Sequence, residues 1–484
     1  MARVWMRIVR LSACRRFLAL CLWLVSGLTG VVGVGMALTA TATLHIPSSK
    51  ATLPNGLTVV VSEKHKLPLT HVSIRIKAGS AHDPEEKAGL ADLTARLLDK
   101  GTAQRTATAI AEELDFLGAR LGASAGGTGS TLNLSILAKD IEQGLALLSD
   151  VLQHPAFDLT ELERVRGRML SEIHQRRVDP RQVVSETFRE LLYAGHPLHR
   201  PVSGYPETVP RITRDDVQAF HQRFYVPENV ILVMVGDFSE GKMRELLERH
   251  LGSWQTTAAG GTAREPPPRL APPAPLQGKK VRVVDMDVNQ TYVQFGHLAV
   301  RRADPAFASL RAMNYILGGG GLISRLSRSL REEQGLVYSV HSDFIGGSQF
   351  PGFFYAALQT KIETTSQALS SLFAGLERMK REPASVDELT DMKLYYEGSL
   401  PRRAETYGQV ADLLLEREFY ELPEGFWVSE INTIQQFTPQ DLQRVATRYL
   451  DTGNFVLALV SKREKLDLTA APIPADAITY VPAP

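Results

Sequence analysis

Hydrophobic residues recur along this chain with two periods, one typical of strands and the other of amphipathic helices. In the first half, apolar and polar positions alternate over residues 57–61 and 71–77, and the first of these strands is entered through Asn55-Gly56. Apolar positions spaced by three and four residues predict helices at residues 89–98, 108–117, 141–151 and 162–177.

The second half has the same mixture of periods. Strand-like alternation occurs at residues 281–285, 292–297, 337–344 and 353–358. Helical spacing occurs at residues 307–317, 364–381 and 386–398. Because the strands come in groups beside helices rather than in strict alternation, the predicted fold class is α+β with largely antiparallel sheets.

A segment rich in proline, glycine and alanine separates the two halves. Residues 256–280 contain six prolines and almost no large apolar side chains, a composition that favours extended polyproline structure and cannot pack a core. We interpret this segment as a semi-rigid linker between an N-terminal module, residues 43–255, and a C-terminal module, residues 281–464. The remaining residues, 465–484, are predicted to form an extended tail.

The ends of the two modules resemble each other, which indicates an internal duplication. Residues 208–236 align with residues 433–461 without a gap, and each copy reads as a threonine N-cap, a helix, a short turn and a buried strand. The identical positions are Thr208/Thr433, Thr213/Thr438, Asp216/Asp441, Gln218/Gln443, Arg223/Arg448, Asn229/Asn454, Leu232/Leu457 and Val235/Val460. Convergence on one common unit is the alternative, but the similar distance from the linker favours duplication.

The first 42 residues have the features of an export signal. Arginines up to Arg16 are followed by the uncharged apolar residues 17–38 and then by an A-x-A pattern at residues 40–42. An apolar stretch of this length could also remain as an inner-membrane anchor. We therefore expect an exported protein, in the periplasm of a Gram-negative cell, that contacts the membrane only if this segment is not cleaved.

Charge and cysteine content exclude two kinds of site. The formal charge of +1 comprises +5 in residues 1–42 and −4 in the rest of the 484-residue chain, which argues against nucleic acid as a partner. The two cysteines, Cys14 and Cys21, both lie in the N-terminal segment. The folded body therefore has neither a disulfide framework nor a thiolate zinc site.

Taken alone, the local motifs point to no catalytic machinery. The sequence contains no H-E-x-x-H, H-x-x-E-H, G-x-S-x-G or phosphate-binding fingerprint. His196 and His199 lie in a proline-broken loop, where satisfied loop histidines are the simpler interpretation. By itself, the glycine run at residues 318–321 reads as a flexible helix end.

Several separated motifs, however, resemble the pitrilysin/insulinase-type metallopeptidases. They are Leu53-Pro-Asn-Gly-Leu57, Ala88-Gly-Leu-Ala91, Lys100-Gly-Thr102, His196-Pro197, Glu207-Thr-Val209, Tyr225-x-Pro-x-Asn229, Leu330-Arg-Glu-Glu-Gln-Gly335 and Val337-Tyr-Ser339. The resemblance extends from about residue 46 to residue 464. It implies two duplicated α+β modules, each a mostly antiparallel sheet with helices on one face, that form a clamshell around a peptide-binding chamber.

The chain departs from this family at the metal site. Asp92, Ala95 and Arg96 stand where the family has histidine, glutamate and histidine, and Glu172 has the spacing of the third zinc ligand. Two imidazoles are lost, and Arg96 brings a positive charge to the metal position. We expect no metal at this degenerate site and, in its place, an Asp92–Arg96 ion pair that extends to Glu172.

Unlike the metal positions of the first module, residues of the second module match the pattern of the family. Arg331 and Tyr338 match the arginine–tyrosine pair that the resemblance assigns to the substrate side of the catalytic site, where both can donate hydrogen bonds to a developing oxyanion. The resemblance also assigns substrate binding to Gly319, Gly320 and Gly321. In the two-chain branch of the family, one subunit carries zinc and the other carries this pair.

Three hypotheses follow from these residues. The leading one is a non-zinc subunit that forms a heterodimer with a zinc-bearing pitrilysin-type subunit and completes its site for hydrolysis of peptides or unstructured polypeptides. In this hypothesis the chain itself holds no cofactor, and the zinc belongs to the partner. The second is a non-enzymatic peptide-binding or scaffold protein. The third is an autonomous peptidase with a metal site rebuilt on Asp92 and Glu172.

Overall fold

The computed structural model describes residues 44–254 and 270–484. The predicted export segment and residues 256–269 of the predicted linker lie outside these ranges. Among the described residues, no helix combines the length and the apolar character needed to cross a bilayer. The described chain from residue 44 onward belongs to one compact unit.

The first half contains a mixed sheet and a layer of helices. Its strands are β1 Ser49–Thr52, β2 Thr58–Glu63, β3 Leu69–Ile76, β4 Arg120–Ala125, β5 Ser130–Leu137 and β6 Val230–Gly236. Its helices are α1 Leu90–Leu97, α2 Ala107–Phe116, α3 Ile141–Gln153, α4 Leu159–Val178, α5 Pro180–Leu192, α6 Arg214–Phe224 and α7 Glu240–Leu251.

The second half repeats this plan with its own sheet. Its strands are β7 Lys279–Asp285, β8 Gln290–Leu298, β9 Val337–Ile345, β10 Phe353–Lys361, β11 Phe455–Ser461 and β12 Ile478–Pro482. Its helices are α8 Phe307–Asn314, α9 Thr365–Arg381, α10 Val386–Ser399, α11 Tyr407–Phe419, α12 Phe426–Gln436 and α13 Pro439–Tyr449. Two segments, Tyr315–Gly319 and Ser327–Glu333, have π-helical geometry.

The two sheets share one strand order, which confirms the duplication. The first runs β1-β2-β6-β3-β5-β4 and the second runs β12-β7-β11-β8-β10-β9, with antiparallel pairs in the majority in both. Strands β6 and β11 occupy equivalent places and are buried along their whole length. The helices that precede these two strands, α6 and α13, are capped by Thr213 and Thr438. Each threonine forms reciprocal hydrogen bonds with the aspartate three residues later, Asp216 or Asp441. The predicted α+β class with two duplicated modules is therefore confirmed.

Each sheet buries its two faces against different partners. Leu232 and Met234 of β6 pack into the core formed with the helices of their own half, whereas Ile231 and Val233 face helix α11 from the second half. This alternation follows from the two-residue repeat of a strand. The sheet of the first half is thus covered on one side by its own helices and on the other by one helix from the second half.

The second sheet shows the reciprocal arrangement. Val456, Ala458 and Val460 of β11 pack against Val184 and Phe188 of α5, which belongs to the first half. On each sheet the predicted layer of helices covers one face. A helix from the other half, α11 or α5, covers the opposite face, which was not predicted. Two modules joined by a linker would be expected to rotate about it. In this chain each half covers the other's sheet, so the two halves are not free to rotate in this way.

The C-terminal tail is ordered more than its composition suggests. The residues after the second module, predicted as an extended segment, end in β12, which pairs in parallel with β7. Leu468 and Ile473 of the tail are buried in the core of the second half. The tail therefore completes the second sheet, in the edge position that β1 holds in the first.

Candidate functional site

Helix α1, which carries the degenerate metal positions, is anchored at its start by a buried carboxylate. The two oxygens of Asp83 accept hydrogen bonds from the backbone N–H groups of Gly89, at 2.9 Å, and Ala91, at 3.0 Å. Gly89 has φ 103°, and a side chain there would meet the carbonyl oxygen of Ser203, so only glycine fits. Burial raises the pKa of Asp83 to about 7.

An ion-pair network occupies the place of the metal. The Arg96 Nε donates to Asp92 Oδ2 at 3.0 Å, one turn earlier on α1, and its Nη1 donates to Glu172 Oε2 at 2.8 Å, on α4. The predicted pair with Asp92 and its extension to Glu172 are both present. The Arg96 guanidinium therefore links the two helices that carry the metal positions implied by the resemblance.

These residues do not fit a zinc ion. Both carboxylates that could serve as ligands already accept hydrogen bonds from a permanent cation, and Ala95 offers a buried methyl group where a general base would stand. Over residues 44–254 and 270–484, no group of three His, Cys, Asp or Glu side chains is placed to hold a metal ion. Burial raises the pKa of Asp92, the Arg96 guanidinium opposes this shift, and Glu172 adds to it.

In the second half, the glycine run is a closely packed turn rather than a flexible helix end. A Cβ on Gly318 would lie 2.3 Å from Ser342 Oγ, one on Gly319 would lie 2.7 Å from Asn314 Nδ2, and Gly321 has φ +66°. Asn314 in turn donates to the Ser342 carbonyl of β9 at 2.9 Å. The absent side chains let this turn pack directly against the strand.

Arg331 and Tyr338 come together where two irregular elements meet. Arg331 lies in the π-helical segment Ser327–Glu333, and Tyr338 is the extra residue of a bulge in β9, since Val337 pairs with Thr360 and Ser339 with Gln359. Both π-turns and bulges are frequent at functional sites because they re-aim side chains. The Arg331 guanidinium carbon lies 5.9 Å from the centre of the Tyr338 ring.

This pair is presented to solvent. Tyr338 is 77% exposed, although it is a large aromatic residue in a strand, and Arg331 is exposed beside it. Neither side chain belongs to the core of the second half. The structure thus places the two residues as neighbours at the surface, where both can contact a bound molecule.

A cavity of about 450 Å³ lies next to the glycine turn. Its walls include Gly319 and Gly321 of that turn and the aromatic side chains of Tyr315, Tyr395 and Tyr396. The third predicted glycine, Gly320, does not line it. The rest of the lining includes a polar wall of Arg311, Asn314, His341 and Asp343, and the rings of Phe307, Phe344 and Tyr355.

The polar wall of this cavity was not foreseen from the sequence. His341 and Asp343 alternate with the buried residues Val340, Ser342 and Phe344 on β9, so both lie on the side of the strand opposite these core residues. That alternation was the available signal, but it is equally the pattern of any solvated strand face. Their place beside the tyrosines depends on how α8 and α10 pack.

The histidine pair of the first half has a structural role. His196 is buried, with Nε2 2.9 Å from the Ala271 carbonyl and Nδ1 accepting from the Leu198 N–H at 3.2 Å. His199 Nδ1 lies 2.8 Å from the His196 carbonyl. Both are satisfied by backbone groups of loops.

Two family profiles match most of the chain. The one described as "Insulinase (Peptidase family M16)" matches residues 58–205, and the one described as "Peptidase M16 inactive domain" matches residues 211–395. The two matches cover the first half and much of the second. Their boundary falls just before helix α6.

Relatives of this chain include proteins described as peptidases and one described as not a peptidase. "Non-peptidase homolog YmxG" of Helicobacter pylori is 25% identical over 90% of this chain and 98% of that protein. An uncharacterized zinc protease of Mycobacterium leprae is 30% identical over 68% of this chain and 73% of that protein. A crystal structure of a peptidase M16 inactive domain from Pseudomonas fluorescens, 26% identical, superposes with a TM-score of 0.79 over 86% of this chain and 98% of that one.

Proposed function

Because the chain belongs to peptidase family M16 and its degenerate metal positions do not fit a zinc ion, we propose that it is the exported, non-zinc subunit of a pitrilysin-type metallopeptidase. In this proposal it forms a heterodimer with a zinc-bearing subunit and supplies residues that bind a peptide substrate and stabilise its transition state. The chain itself holds no cofactor.

One contrast carries this proposal. The degenerate metal site is occupied by the Arg96 guanidinium between two carboxylates, whereas Arg331 and Tyr338 stand together, exposed, on irregular backbone. A large aromatic side chain exposed beside a cation gains little for stability. Such a pair is better explained by contact with something outside the chain.

The chemistry of the pair suits the substrate side of a peptidase site. A guanidinium and a phenol both donate hydrogen bonds, and donors aimed at a scissile carbonyl stabilise the oxyanion that forms on it. The zinc of the partner would supply water activation. Arg331 and Tyr338 would bind and orient the peptide and stabilise its developing negative charge.

The test is reconstitution with a zinc-bearing subunit, sought as an exported protein of similar length with an intact H-x-x-E-H. Activity toward an unstructured peptide is measured for wild type, Arg331→Ala and Tyr338→Phe. We expect losses of about 10- to 1000-fold with folding and complex formation unchanged, as for removal of an oxyanion donor. The chain alone should cleave no peptide and bind no stoichiometric zinc.

A matched control exists elsewhere on the surface. The Arg463 guanidinium carbon lies 4.4 Å from the Tyr480 ring at the edge of the second sheet, so Arg463→Ala and Tyr480→Phe remove an equivalent pair outside the proposed site. These variants should retain full activity. Full activity of Arg331→Ala and Tyr338→Phe, at unchanged complex stability, would instead favour the peptide-binding scaffold.

A further inference from the structure

We propose that a cavity between the two halves binds a free α-amino acid with an apolar side chain, in its zwitterionic form. The cavity lies where helix α11 covers the first sheet, and its lining includes Arg75, Phe344, Ile345, Asp412, Leu415 and Tyr420. We call it the seam cavity. The inference goes beyond the proposed function and does not depend on it, because neither Arg331 nor Tyr338 lines this cavity.

The seam cavity is built from both halves of the chain. Arg75 comes from β3 of the first sheet, whereas Asp412 and Leu415 come from α11 and Ile345 from the end of β9, in the second half. Asp412 and Leu415 are three residues apart on α11, so they lie on one face of that helix. A ligand in the cavity therefore contacts the sheet of one half together with a helix and a strand of the other.

Two of the four charged residues that line the seam cavity have no ion-pair partner. A network of shared ion pairs around the cavity joins three arginines and two glutamates, Arg302, Arg311, Arg403, Glu416 and Glu430. Of these, only Arg302 and Glu416 line the cavity, with Nε 2.8 Å from Oε1. The other two charged residues of the lining, Arg75 and Asp412, form no ion pair in the described part of the chain. Two cations and two carboxylates make the lining neutral overall, as a zwitterion is.

The Arg75 guanidinium is held in place but has no acceptor. Its carbon lies 4.8 Å from the centre of the Phe419 ring, and its Cδ packs so closely on Gly129 that a Cβ there would lie 3.0 Å from it. Among the described residues, neither the Nε, which is shielded from solvent, nor the two Nη groups have a hydrogen-bond acceptor. Two Nη groups can donate side by side to both oxygens of one carboxylate. Arg75 therefore provides the carboxylate contact.

Asp412 provides the matching contact for an ammonium group. It is exposed, and no residue in the described ranges donates a hydrogen bond to it. His71 of β3 does not neutralise its charge, because burial lowers the pKa of the His71 ring, which is therefore neutral near pH 7. The two nitrogens of that ring lie 2.7 Å from Ser135 Oγ and 3.1 Å from Ser73 Oγ. The Asp412 carboxylate can thus accept the hydrogen bonds that an ammonium group donates.

The size and the walls of the seam cavity fit an amino acid. Arg75 and Asp412 line the same cavity without contacting each other, and an α-amino acid carries its ammonium and carboxylate on one carbon, so it can bridge the two. A volume of about 380 Å³ lies within the range of small-ligand sites. Phe344, Ile345 and Leu415 contribute apolar side chains to the lining, and Ile345 is 40% exposed. An apolar ligand side chain, such as that of leucine or phenylalanine, would cover them.

The experiment measures binding to the purified chain at pH 7 by isothermal titration calorimetry, with L-leucine and L-phenylalanine as probes. Each is compared with its amide, which lacks the carboxylate, and with its N-acetyl derivative, which lacks the ammonium. We expect wild type to bind at least one of the two amino acids with a Kd of about 1 mM or below, and both of its derivatives at least about tenfold more weakly. The bound amino acid should also raise the unfolding temperature, because it binds the folded chain alone.

Variants assign each contact to its residue. Arg75→Met should no longer distinguish the amino acid from its amide, and Asp412→Asn should no longer distinguish it from the N-acetyl derivative. Asp287→Asn is the matched control, because Asp287 is a highly exposed carboxylate that contacts Lys462 and does not line the cavity. It should bind as wild type does. Circular dichroism verifies that each variant is folded.

The comparison of ligands tests the proposal on wild type alone, whatever the variants do. If wild type binds neither amino acid at about 10 mM, or binds a derivative as tightly as the amino acid, the seam cavity is not a site for a zwitterion. Folded variants that both keep the full discrimination would place the binding site elsewhere and overturn the assignment to this cavity. None of these outcomes bears on Arg331 and Tyr338, so the proposed function is tested separately.

Discussion

At the scale of single residues, the replacement of a metal by a guanidinium changes what holds helices α1 and α4 together. A zinc ion joins its ligands through coordination bonds, whereas Arg96 joins Asp92 and Glu172 through two charge-assisted hydrogen bonds. Asp92 is almost fully buried, so its carboxylate depends on this donor. The guanidinium thus bridges the two helices with hydrogen bonds from Arg96 to Asp92 and Glu172.

The Arg96→Ala variant tests this structural role. It should lower the free energy of unfolding by about 1–3 kcal/mol, because it leaves the buried Asp92 carboxylate without its donor. The measurement is the shift of the urea midpoint relative to wild type. Arg164→Ala is the matched control, since Arg164 forms a more exposed pair with Glu161 on α4 and its loss should cost less than about 1 kcal/mol. Equal shifts for both variants would show that Arg96 is an ordinary surface arginine.

At the scale of elements, the glycine turn and the two π-helical segments determine how the second half presents its side chains. The π-helical turn Tyr315–Gly319 brings Gly318 against Ser342 of β9, and the segment Ser327–Glu333 then carries Arg331 toward the bulge at Tyr338. Close packing therefore accounts for Gly318 and Gly319, and the positive φ accounts for Gly321. A side chain in this turn would move the elements that hold the arginine–tyrosine pair.

Replacing Gly318 by alanine tests that packing. The new Cβ would lie 2.3 Å from Ser342 Oγ, so the turn must shift, at a cost of about 1–3 kcal/mol in stability. Activity of the reconstituted pair should fall with it. Gly398→Ala is the control: Gly398 lies in α10 with no atom within 4 Å of a Cβ, and this change should stabilise the chain by up to about 1 kcal/mol. Unfolding midpoints of both variants provide the comparison.

The elements also show how far the sequence predicts the structure. Strands such as β9 and helices such as α9 match their predicted bounds within two residues, because period alone identifies them. The helix predicted at residues 307–317 instead ends at Asn314 and continues as a π-turn, since the contact of Gly318 with Ser342 decides its end. Helices α5 and α11 were not predicted.

The candidate site, too, could be predicted only in part from the sequence. The contact between Arg96 and Glu172 joins residues 76 positions apart. Periodicity cannot predict such a contact, and only the resemblance to the metallopeptidases predicts it. The cavity next to the glycine turn has no such guide, because Asp343 looks like any polar residue on an exposed strand face. Which side chains meet there depends on packing between elements that period cannot determine.

At the scale of the whole molecule, the exchange of helices makes the two halves one mechanical body. Helix α11 buries Val410 and Leu414 on the first sheet, and α5 buries Val184 and Phe188 on the second. Domains that rotate freely share small, polar interfaces. Since these contacts are apolar and reciprocal, a peptide chamber of the proposed heterodimer would open between the two subunits rather than within this chain.

Cutting the chain between the halves tests this conclusion. A protease site inserted between residues 254 and 270 should yield two fragments that elute together on gel filtration in native buffer, because α5 and α11 hold each fragment on the other's sheet. Leu414→Asp provides the contrast: it puts a carboxylate into a fully buried contact with β6, and the cut fragments of this variant should separate. Before cutting, its single chain should still elute as one species. Fragments of the otherwise unchanged chain that separate in native buffer would mean that the exchanged helices contribute little to the association, and a hinge within the chain would then be the better account of substrate entry.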